Sequence, residues 1–228
     1  MEQSRVLVIG LGGVGSWCAE ALVRSGIGSI TIVDSDTVSE TNINRQIQAT
    51  NRTIGQAKTE ALAERLKEIN PLCEIKPLHI HFSKASADVL NISEMDYVID
   101  AIDTLSCKLD LIETALAAGK KLFSSMGMAR KLDPAKIKTA DIWDTSGCPL
   151  ARLVRSGLRK RNISGHFTAV YSSEQIPGQD EGIERETSNG GGSGKIINGS
   201  AVTVTAAAGM VLASLVIRDI HARYAQGQ

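Results

Sequence analysis

Residues 5–34 read RVLVIGLGGVGSWCAEALVRSGIGSITIVD, and they contain the clearest indication of the fold class. Its pattern predicts a buried strand, a glycine-rich turn, a helix, and a second strand that ends in the acid Asp34. Gly10 permits a tight turn, Gly12 lets the backbone approach a phosphate closely, and Gly15 lets the helix pack against the strand. The start of the helix adds free N–H groups and a positive dipole for an anion. We therefore expect this turn to bind phosphate.

The rest of the chain continues the alternation of strands and helices. Apolar runs predict further strands near residues 74–80, 97–100 and 121–124. Helical patterns cover residues 55–69, where Pro71 ends the helix, and residues 104–119. Such alternation predicts an α/β fold with a Rossmann-like, mostly parallel sheet flanked by helices, together with additional strands and a C-terminal helix.

Charged and polar residues follow the predicted strands. Arg45 and Lys58 supply two cations that could hold the phosphates of a nucleotide. Asp103 follows the fourth predicted strand, a position suited to Mg²⁺ shared with phosphate oxygens. The residues alone leave open the alternative that Asp36 and Asp103 are ordinary cap or turn acids. We take Arg45, Lys58 and Asp103 as candidate catalytic residues. The whole candidate nucleotide site comprises Gly10, Gly12, Gly13, Gly15, Asp34, Asp36, Asn42, Arg45, Gln46, Lys58 and Asp103.

From about residue 5 to residue 141 the chain resembles the ThiF/MoeB superfamily of ATP-dependent adenylating enzymes, relatives of the ubiquitin-activating enzymes. Within that superfamily it is most similar to the branch of tRNA threonylcarbamoyladenosine dehydratases. The motifs that carry the resemblance are the glycine turn, NINRQ at 42–46, VIDAIDT at 98–104, SSMG at 124–127 and the basic helix after Pro149. The resemblance implies that ATP is bound by Gly12, Gly13 and Asp34, and its phosphates by Asn42, Arg45 and Lys58. It also implies that Asp103 binds Mg²⁺ and takes part in catalysis.

The same resemblance implies a reaction. The expected function is ATP-dependent cyclisation, a dehydration, of the threonylcarbamoyl group on a tRNA adenosine through an acyl-adenylate. One alternative is adenylation of the C-terminus of a ubiquitin-like sulfur-carrier protein, and another is a non-catalytic nucleotide-binding subunit. A nicotinamide oxidoreductase would leave Arg45, Lys58 and Asp103 unexplained. The expected partners are tRNA and a second copy of the chain in a homodimer, and sulfur-relay proteins remain possible partners.

The composition is that of a soluble enzyme. The chain has 228 residues, with 25 basic and 25 acidic residues and a formal net charge of zero, so any tRNA contact needs a local basic patch. We expect one domain over residues 1–228, with a nucleotide-binding part up to about 141 and a substrate and dimer part from about 142. The four cysteines form no Cys-x-x-Cys pair, which predicts no structural zinc. A cytoplasmic location is the simplest interpretation.

A basic helix is predicted from about Pro149 to Arg161. Its cations suit the phosphate backbone of tRNA, although a solvated helix face would show the same pattern. The candidate tRNA contacts are Arg152, Arg155, Arg159, Lys160 and Arg161. Cys148, just before this helix, is either a carrier nucleophile or, as we favour, an inert thiol.

Two segments of the C-terminal part are unusual. Residues 177–195 are polar and rich in glycine, which predicts a mobile loop that is either a lid or a surface insertion. Residues 196–217 carry no charge and are long enough to cross a bilayer. Their hydroxyl residues and three successive alanines make them weakly apolar, so we expect no membrane partner. Small residues instead predict close packing on the sheet or across a dimer interface.

Overall fold

A computed structural model describes residues 1–175 and 199–226 of the chain. Within these residues the strands form one sheet with the order β3-β2-β1-β4-β5-β7-β6. The strands are β1 (Arg5–Ile9), β2 (Ser29–Asp34), β3 (Glu74–His79), β4 (Tyr97–Asp100), β5 (Lys121–Ser125), β6 (Ile137–Asp141) and β7 (Thr168–Ser172). The α-helices are α1 (Gly15–Arg24), α2 (Lys58–Ile69), α3 (Leu105–Ala117), α4 (Pro149–Lys160) and α5 (Val202–Gln226). The predicted fold class is confirmed.

The strand order reverses beside β1, and this reversal places the site. From β1 the chain builds outward through β2 to β3, then returns to form β4 on the other side of β1. All pairs from β3 to β7 are parallel, and Ile9 is in register with both Val33 and Asp100. Ligands of open α/β sheets bind in the crevice at the carboxyl ends of the strands where the order reverses. Here that crevice lies between the turns after β1 and β4.

The additional strands lie at one edge of the sheet. β7 pairs with β5 in parallel, and β6 pairs with β7 in antiparallel orientation, with Lys138 opposite Tyr171. Lys138 is exposed on this edge strand, and an edge lysine discourages pairing with another sheet. The predicted 55–69 helix starts later than expected, at Lys58. Residues 55–57 instead join a short bridge in which Thr37 pairs with Ala57.

Hydrophobic cores cover both faces of the sheet because the side chains of a strand alternate. Val6 and Val8 of β1 face one core, which also contains buried residues of α1, α2 and α5. Leu7 and Ile9 face the other, which α3 and α4 complete. A sheet covered by helices on both faces explains why β1 is apolar at every position from Val6 to Ile9. The predicted loop at 177–195 lies outside the described residues, and the division of the domain near residue 141 stays a prediction.

α5 packs closely on α1 through a glycine. A Cβ at Gly209 would lie 2.5 Å from the carbonyl oxygen of Val14, so a larger residue would separate the helices. The close packing of this small residue is therefore against α1, a helix, whereas the sequence predicted packing on the sheet or across a dimer interface; α5 also contacts β5 and β7 of the sheet. Among the described helices, α5 alone has the length and mean hydropathy (1.5 over 18 residues) to cross a membrane, and 39% of that window is buried. Length and composition are weak evidence, so the absence of a membrane partner stays a prediction.

The far end of α5 is tied to the sheet by one carboxylate. Asp219 accepts a hydrogen bond from the Tyr97 hydroxyl at 2.9 Å and forms ion pairs with Lys121 and Arg223, each at 2.9 Å. Burial alone would raise the pKa of this carboxyl. The hydrogen bonds from Lys121 and Tyr97 outweigh burial and hold the pKa below its ordinary value of 3.8. The charged form of Asp219 therefore stabilises the fold.

Asp219→Asn is expected to lower stability at neutral pH but not in strong acid. A depressed pKa gives stabilisation that is complete above the unfolded-state pKa and is lost as the pH falls through the folded-state value. Hydrogen bonds to a charged group contribute roughly 2 kcal/mol, which predicts a melting temperature lower by about 4–8 °C at pH 7. Thermal unfolding of both proteins from pH 7 down to pH 2 measures this. If the difference in melting temperature between the two proteins stayed constant with pH, the stabilising role of the charged Asp219 would be contradicted.

Candidate active site

The turn after β1 fits closely against the turn after β4. Gly10 has φ +90°, and a Cβ there would lie 2.6 Å from the carbonyl oxygen of Ala101. A Cβ at Gly15 would lie 1.8 Å from the carbonyl oxygen of Gly10. These two glycines are therefore required by packing. Gly12 differs, because a Cβ there would meet nothing within 4 Å. Its backbone faces open space, as the approach of a ligand requires.

The acid at the end of β2 holds the glycine turn in place. Asp34 accepts a hydrogen bond from the backbone N–H of Leu11 at 2.7 Å and another from Asp36 at 2.8 Å. Lys58 is 6% exposed. Its ammonium lies 2.7 Å from Asp36 and 3.8 Å from Asp34. The structure thus brings these three predicted residues together with the turn. Each Asp34 oxygen can accept one further hydrogen bond, so a ribose hydroxyl remains a feasible ligand.

The NINRQ motif forms an arm, residues 42–48, that lies along the other side of the turn. A Cβ at Gly13 would meet the Arg45 side chain at 3.1 Å. The Arg45 guanidinium donates to the Thr41 carbonyl and to the Asn44 side chain, each at 2.8 Å. These bonds use one nitrogen, Nη1, so most of the fork remains for a phosphate. Asn42 and Gln46 are buried. The Asn42 side chain accepts from the Ser39 backbone at 3.1 Å and so caps the turn that opens the arm.

Asp103 lies on the exposed loop between β4 and α3, at the same edge of the sheet. Its carboxylate accepts only a long hydrogen bond, 3.4 Å, from Thr104 among the described side chains. Thr104 is the N-cap residue of α3. Among residues 1–175 and 199–226, no group of three or more His, Cys, Asp or Glu is placed to hold a metal. A single carboxylate suits Mg²⁺ that takes its other ligands from phosphates and water.

A buried ion pair beneath Asp103 was not predicted. Asp100 and Lys108 are both 0% exposed, and their charged atoms lie 2.7 Å apart. Lys108 also donates to the Ser125 carbonyl at 2.9 Å, and Ser124 donates to Asp100 at 2.6 Å. The second oxygen of Asp100 accepts from the Ile102 backbone at 3.1 Å. The pair therefore fixes the start of the loop that carries Asp103.

The sequence held a signal for this pair. Lys108, Ile112 and Ala115 lie on one buried face of α3, so a lysine interrupts an otherwise apolar helical stripe. Asp100 likewise ends a strand whose other residues are Tyr97, Val98 and Ile99. Charged side chains are almost never fully buried unless they are paired. When two such interruptions occur on neighbouring elements, the two charged residues are expected to pair with each other.

The model of the ThiF family matches residues 1–220. The chain belongs to the ThiF family. It is 37% identical to the tRNA threonylcarbamoyladenosine dehydratase of Bacillus subtilis strain 168, over 96% of this chain and 88% of the relative. It is 39% identical to the protein of that name from Haemophilus influenzae, over 95% of this chain and 85% of the relative.

A solved structure shares the whole fold of this ThiF-family chain. The crystal structure of tRNA N6-threonylcarbamoyladenosine dehydratase, TcdA, of Escherichia coli in complex with ATP superposes with a TM-score of 0.86. That protein is 32% identical, and the match covers 100% of this chain and 89% of that one. The family expected from the sequence is confirmed.

The basic helix of this ThiF-family chain uses some of its cations internally. Arg155 donates to the side chain of Thr145. Arg161 pairs with Asp110 at 2.6 Å and Glu113 at 3.0 Å. Arg159 lies 5.3 Å from the ring centre of Trp143, where it remains exposed along with Arg152 and Lys160. The exposed part of the predicted tRNA surface is thus smaller than the sequence indicated.

Cys148 and Lys131 are buried behind this helix. Cys148, the N-cap residue of α4, is 5% exposed. Lys131 is 0% exposed and donates to the carbonyl oxygen of Glu174. Burial lowers the pKa of the Lys131 ammonium. A buried thiol is a poor carrier nucleophile. This placement favours the inert thiol over the carrier.

Proposed function

We propose that this chain is an ATP-dependent enzyme that cyclises, with loss of water, the threonylcarbamoyl group on a tRNA adenosine. The observation that carries the proposal is the meeting of four groups at one edge of the sheet. The glycine turn touches the arm with Arg45 on one side, Asp34 and its neighbour Lys58 on another, and the loop leading to Asp103 on a third. The names of the relatives supply the substrate.

The proposed reaction has two steps. The carboxylate of the threonylcarbamoyl group attacks the α-phosphate of ATP, and pyrophosphate leaves with its bonding electrons. In the resulting acyl-adenylate, a nitrogen of the same substituent attacks the activated carbonyl, loses its proton, and expels AMP. A five-membered ring forms, and the lost carboxylate oxygen departs on AMP. Because both reacting groups belong to one substituent, effective concentrations reach roughly 10⁵ M. No enzyme nucleophile is needed, in keeping with the burial of Cys148.

We assign roles to the residues from their positions. Backbone amides of the glycine turn and the Arg45 guanidinium would bind the phosphates and stabilise charge that develops on them. Lys58 would exchange part of its contact with Asp36, whose side chain is 67% exposed, for a phosphate oxygen. Asp34 would bind the ribose. Asp103 would hold Mg²⁺, which neutralises phosphate charge when bound.

The tRNA would approach the exposed cations of α4. We place the contact at Arg152, Arg159 and Lys160, with Arg155 and Arg161 as further candidates if their internal partners yield. Because the chain has no net charge, such a patch would supply most of the attraction to the phosphate backbone.

Three further proposals concern the whole protein. We propose that it forms a homodimer, which sedimentation would test, and that it is located in the cytoplasm. We also propose that α5 is a core helix. Sulfur-relay proteins remain candidate partners, which an affinity capture with purified relay proteins would test.

The experiment that tests the function is ATP–pyrophosphate exchange with purified protein. Three reactions are compared, containing threonylcarbamoyl-modified tRNA, a ubiquitin-like carrier protein, or neither. Exchange that requires the modified tRNA, together with mass-spectrometric detection of the cyclised base, is the expected result. Exchange only with the carrier would instead support its adenylation. Binding of nicotinamide nucleotide without binding of ATP would overturn both.

The same assay tests the tRNA surface. Arg152→Glu combined with Lys160→Glu is expected to raise the KM for modified tRNA about ten-fold or more, because each reversed charge repels phosphate. The KM for ATP should stay unchanged, since α4 packs on the face of the sheet opposite α1, the helix that follows the glycine turn. An unchanged KM for tRNA would remove the patch from the proposal but leave the chemistry intact.

A further inference from the structure

Side chains of α1 and the arm fasten the arm to the glycine turn. Trp17 donates from its indole nitrogen to the backbone carbonyl of Arg45 at 2.9 Å. Ser16 donates to the Gly12 carbonyl at 2.7 Å and accepts a longer bond, 3.5 Å, from the Ile47 backbone. Gln48 donates from its amide nitrogen to the Leu11 carbonyl at 2.8 Å. The two parts of the site that would grip phosphate are therefore held in one register.

Gln48 is an unusual member of this set. It is 2% exposed, and its amide oxygen receives no hydrogen bond from the described residues. An acceptor buried without a donor destabilises the folded state. The contact with Gln46 is weak at 3.4 Å, so the bond to Leu11 is its main polar interaction. A methionine would fill similar volume and remove that oxygen, but it would leave the Leu11 carbonyl without its donor. The two costs are of the same kind, so stability alone does not distinguish the glutamine from a methionine.

The bond to Leu11 links Gln48 to the chemistry. The N–H of Leu11 is bonded to Asp34 at 2.7 Å, while its carbonyl is bonded to Gln48. One peptide of the turn is thus held from both sides, by the acid at the end of β2 and by the arm that carries Arg45. Hydrogen-bond donors hold a bound phosphate less well when they are displaced by even 1 Å. Without these two hydrogen bonds, the amides of the turn and Arg45 could move apart.

We infer that Gln48 is a positioning residue, which sets the glycine turn against the arm so that the turn's amides and Arg45 reach the same phosphates. This inference rests on the proposed function, because it takes the turn and Arg45 as the phosphate-binding groups. It explains why a glutamine with one unpartnered buried oxygen is present beside the turn. Trp17 acts in the same way from α1, through the backbone of Arg45.

Gln48→Met tests the inference. The expected result is a rise of about ten-fold in the KM for ATP, equivalent to one hydrogen bond of about 1.4 kcal/mol, with kcat changed by less than about three-fold. The melting temperature should change by no more than about 3 °C, because the variant loses one bond but also the unpartnered oxygen. A large fall in melting temperature with an unchanged KM would overturn the inference and make Gln48 a structural residue.

The matched control is Gln56→Met. Gln56 is exposed and lines the same cavity of about 380 Å³ as Gln48, between the arm and α2. Its substitution is expected to leave the KM for ATP unchanged, and a rise equal to that of Gln48→Met would overturn the specific role of Gln48. Trp17→Phe, which removes the indole donor but keeps a ring, is the second variant. It should also raise the KM, and no change in either variant would refute the inference.

A double variant separates this inference from the proposed function. If Gln48 acts through the register of Arg45, then Gln48→Met in an Arg45→Ala background should raise the KM for ATP by much less than ten-fold. If Gln48→Met raised the KM for ATP by the same factor with and without Arg45→Ala, Gln48 would not act through Arg45. If Arg45→Ala alone leaves the KM for ATP unchanged, the assignment of Arg45 under the proposed function fails. If Arg45→Ala raises the KM and Gln48→Met does not, only the positioning role fails.

Discussion

Asp103→Ala is expected to reduce turnover roughly 1,000-fold, a loss of about 4 kcal/mol of transition-state stabilisation. The carboxylate is exposed, makes one long hydrogen bond to Thr104, and lies at the edge of the sheet beside the glycine turn. With so few contacts to lose, the fold should be unaffected, and the melting temperature should change by about 1–2 °C at most. Steady-state turnover and thermal unfolding of one preparation measure both quantities.

Asp88→Ala is the matched control for Asp103→Ala. Asp88 is also an exposed acid beside a loop, but it lies before β4 in the 3₁₀-helix Lys84–Leu90, on a segment that packs against α3. Its removal should leave turnover unchanged. If Asp103→Ala retained the turnover of the parent protein, Asp103 would be an ordinary loop acid and the proposed role would be wrong. A loss of turnover that accompanied unfolding would equally contradict a purely catalytic role.

Lys108→Met is expected to lower the free energy of unfolding by about 3–5 kcal/mol, because it leaves the fully buried Asp100 without its cation. For a chain of this size the melting temperature should fall by at least about 6 °C. Chemical denaturation with urea measures the free energy directly. The remaining bonds of Asp100, to Ser124 and to the Ile102 backbone, cannot replace a full positive charge.

Lys84→Met provides a control with the same ion-pair distance but different burial. Lys84 lies 2.7 Å from Glu113, as Lys108 lies from Asp100, but its side chain is 56% exposed. Water screens that pair, so its loss should cost less than about 1 kcal/mol. Combining Asp100→Asn with Lys108→Met should recover most of the stability, since no buried charge is left. If Lys84→Met and Lys108→Met lowered the free energy of unfolding equally, burial would not be the cause of the large contribution of the Asp100–Lys108 pair.

The central strands and the glycine turn could be predicted because their cause is local. Runs such as Val6 to Ile9 and Val98 to Ile99 are apolar at every position, as strands buried on both faces must be. The positions of Gly10 and Gly15 follow from backbone approaches that admit no Cβ. Less local features were harder to place. α2 starts at Lys58 rather than near residue 55 because residues 55–57 bridge to Thr37, a contact with a distant segment.

The candidate site was only partly predictable for the same reason. Asp34, Arg45, Lys58 and Asp103 could be chosen by residue type and by their positions after strands, and the structure brings them around the turn. Their partners could not be chosen in this way. Lys58 pairs with Asp36, and Arg161 is held by Asp110 and Glu113. Whether a cation is free to bind a ligand depends on neighbours that are remote in sequence.

The amino-acid sequence alone was enough to predict the fold class, because hydrophobic periodicity and sterically required glycines are local features, and its motifs carried the resemblance to the family. Tertiary structure decided which polar groups are engaged with one another. It buried the pair of Asp100 and Lys108, placed Gln48 against Leu11, and turned Arg155 inward to Thr145. The physical reason is that charges and hydrogen bonds act over a few ångströms, and only the packing of distant segments sets those distances.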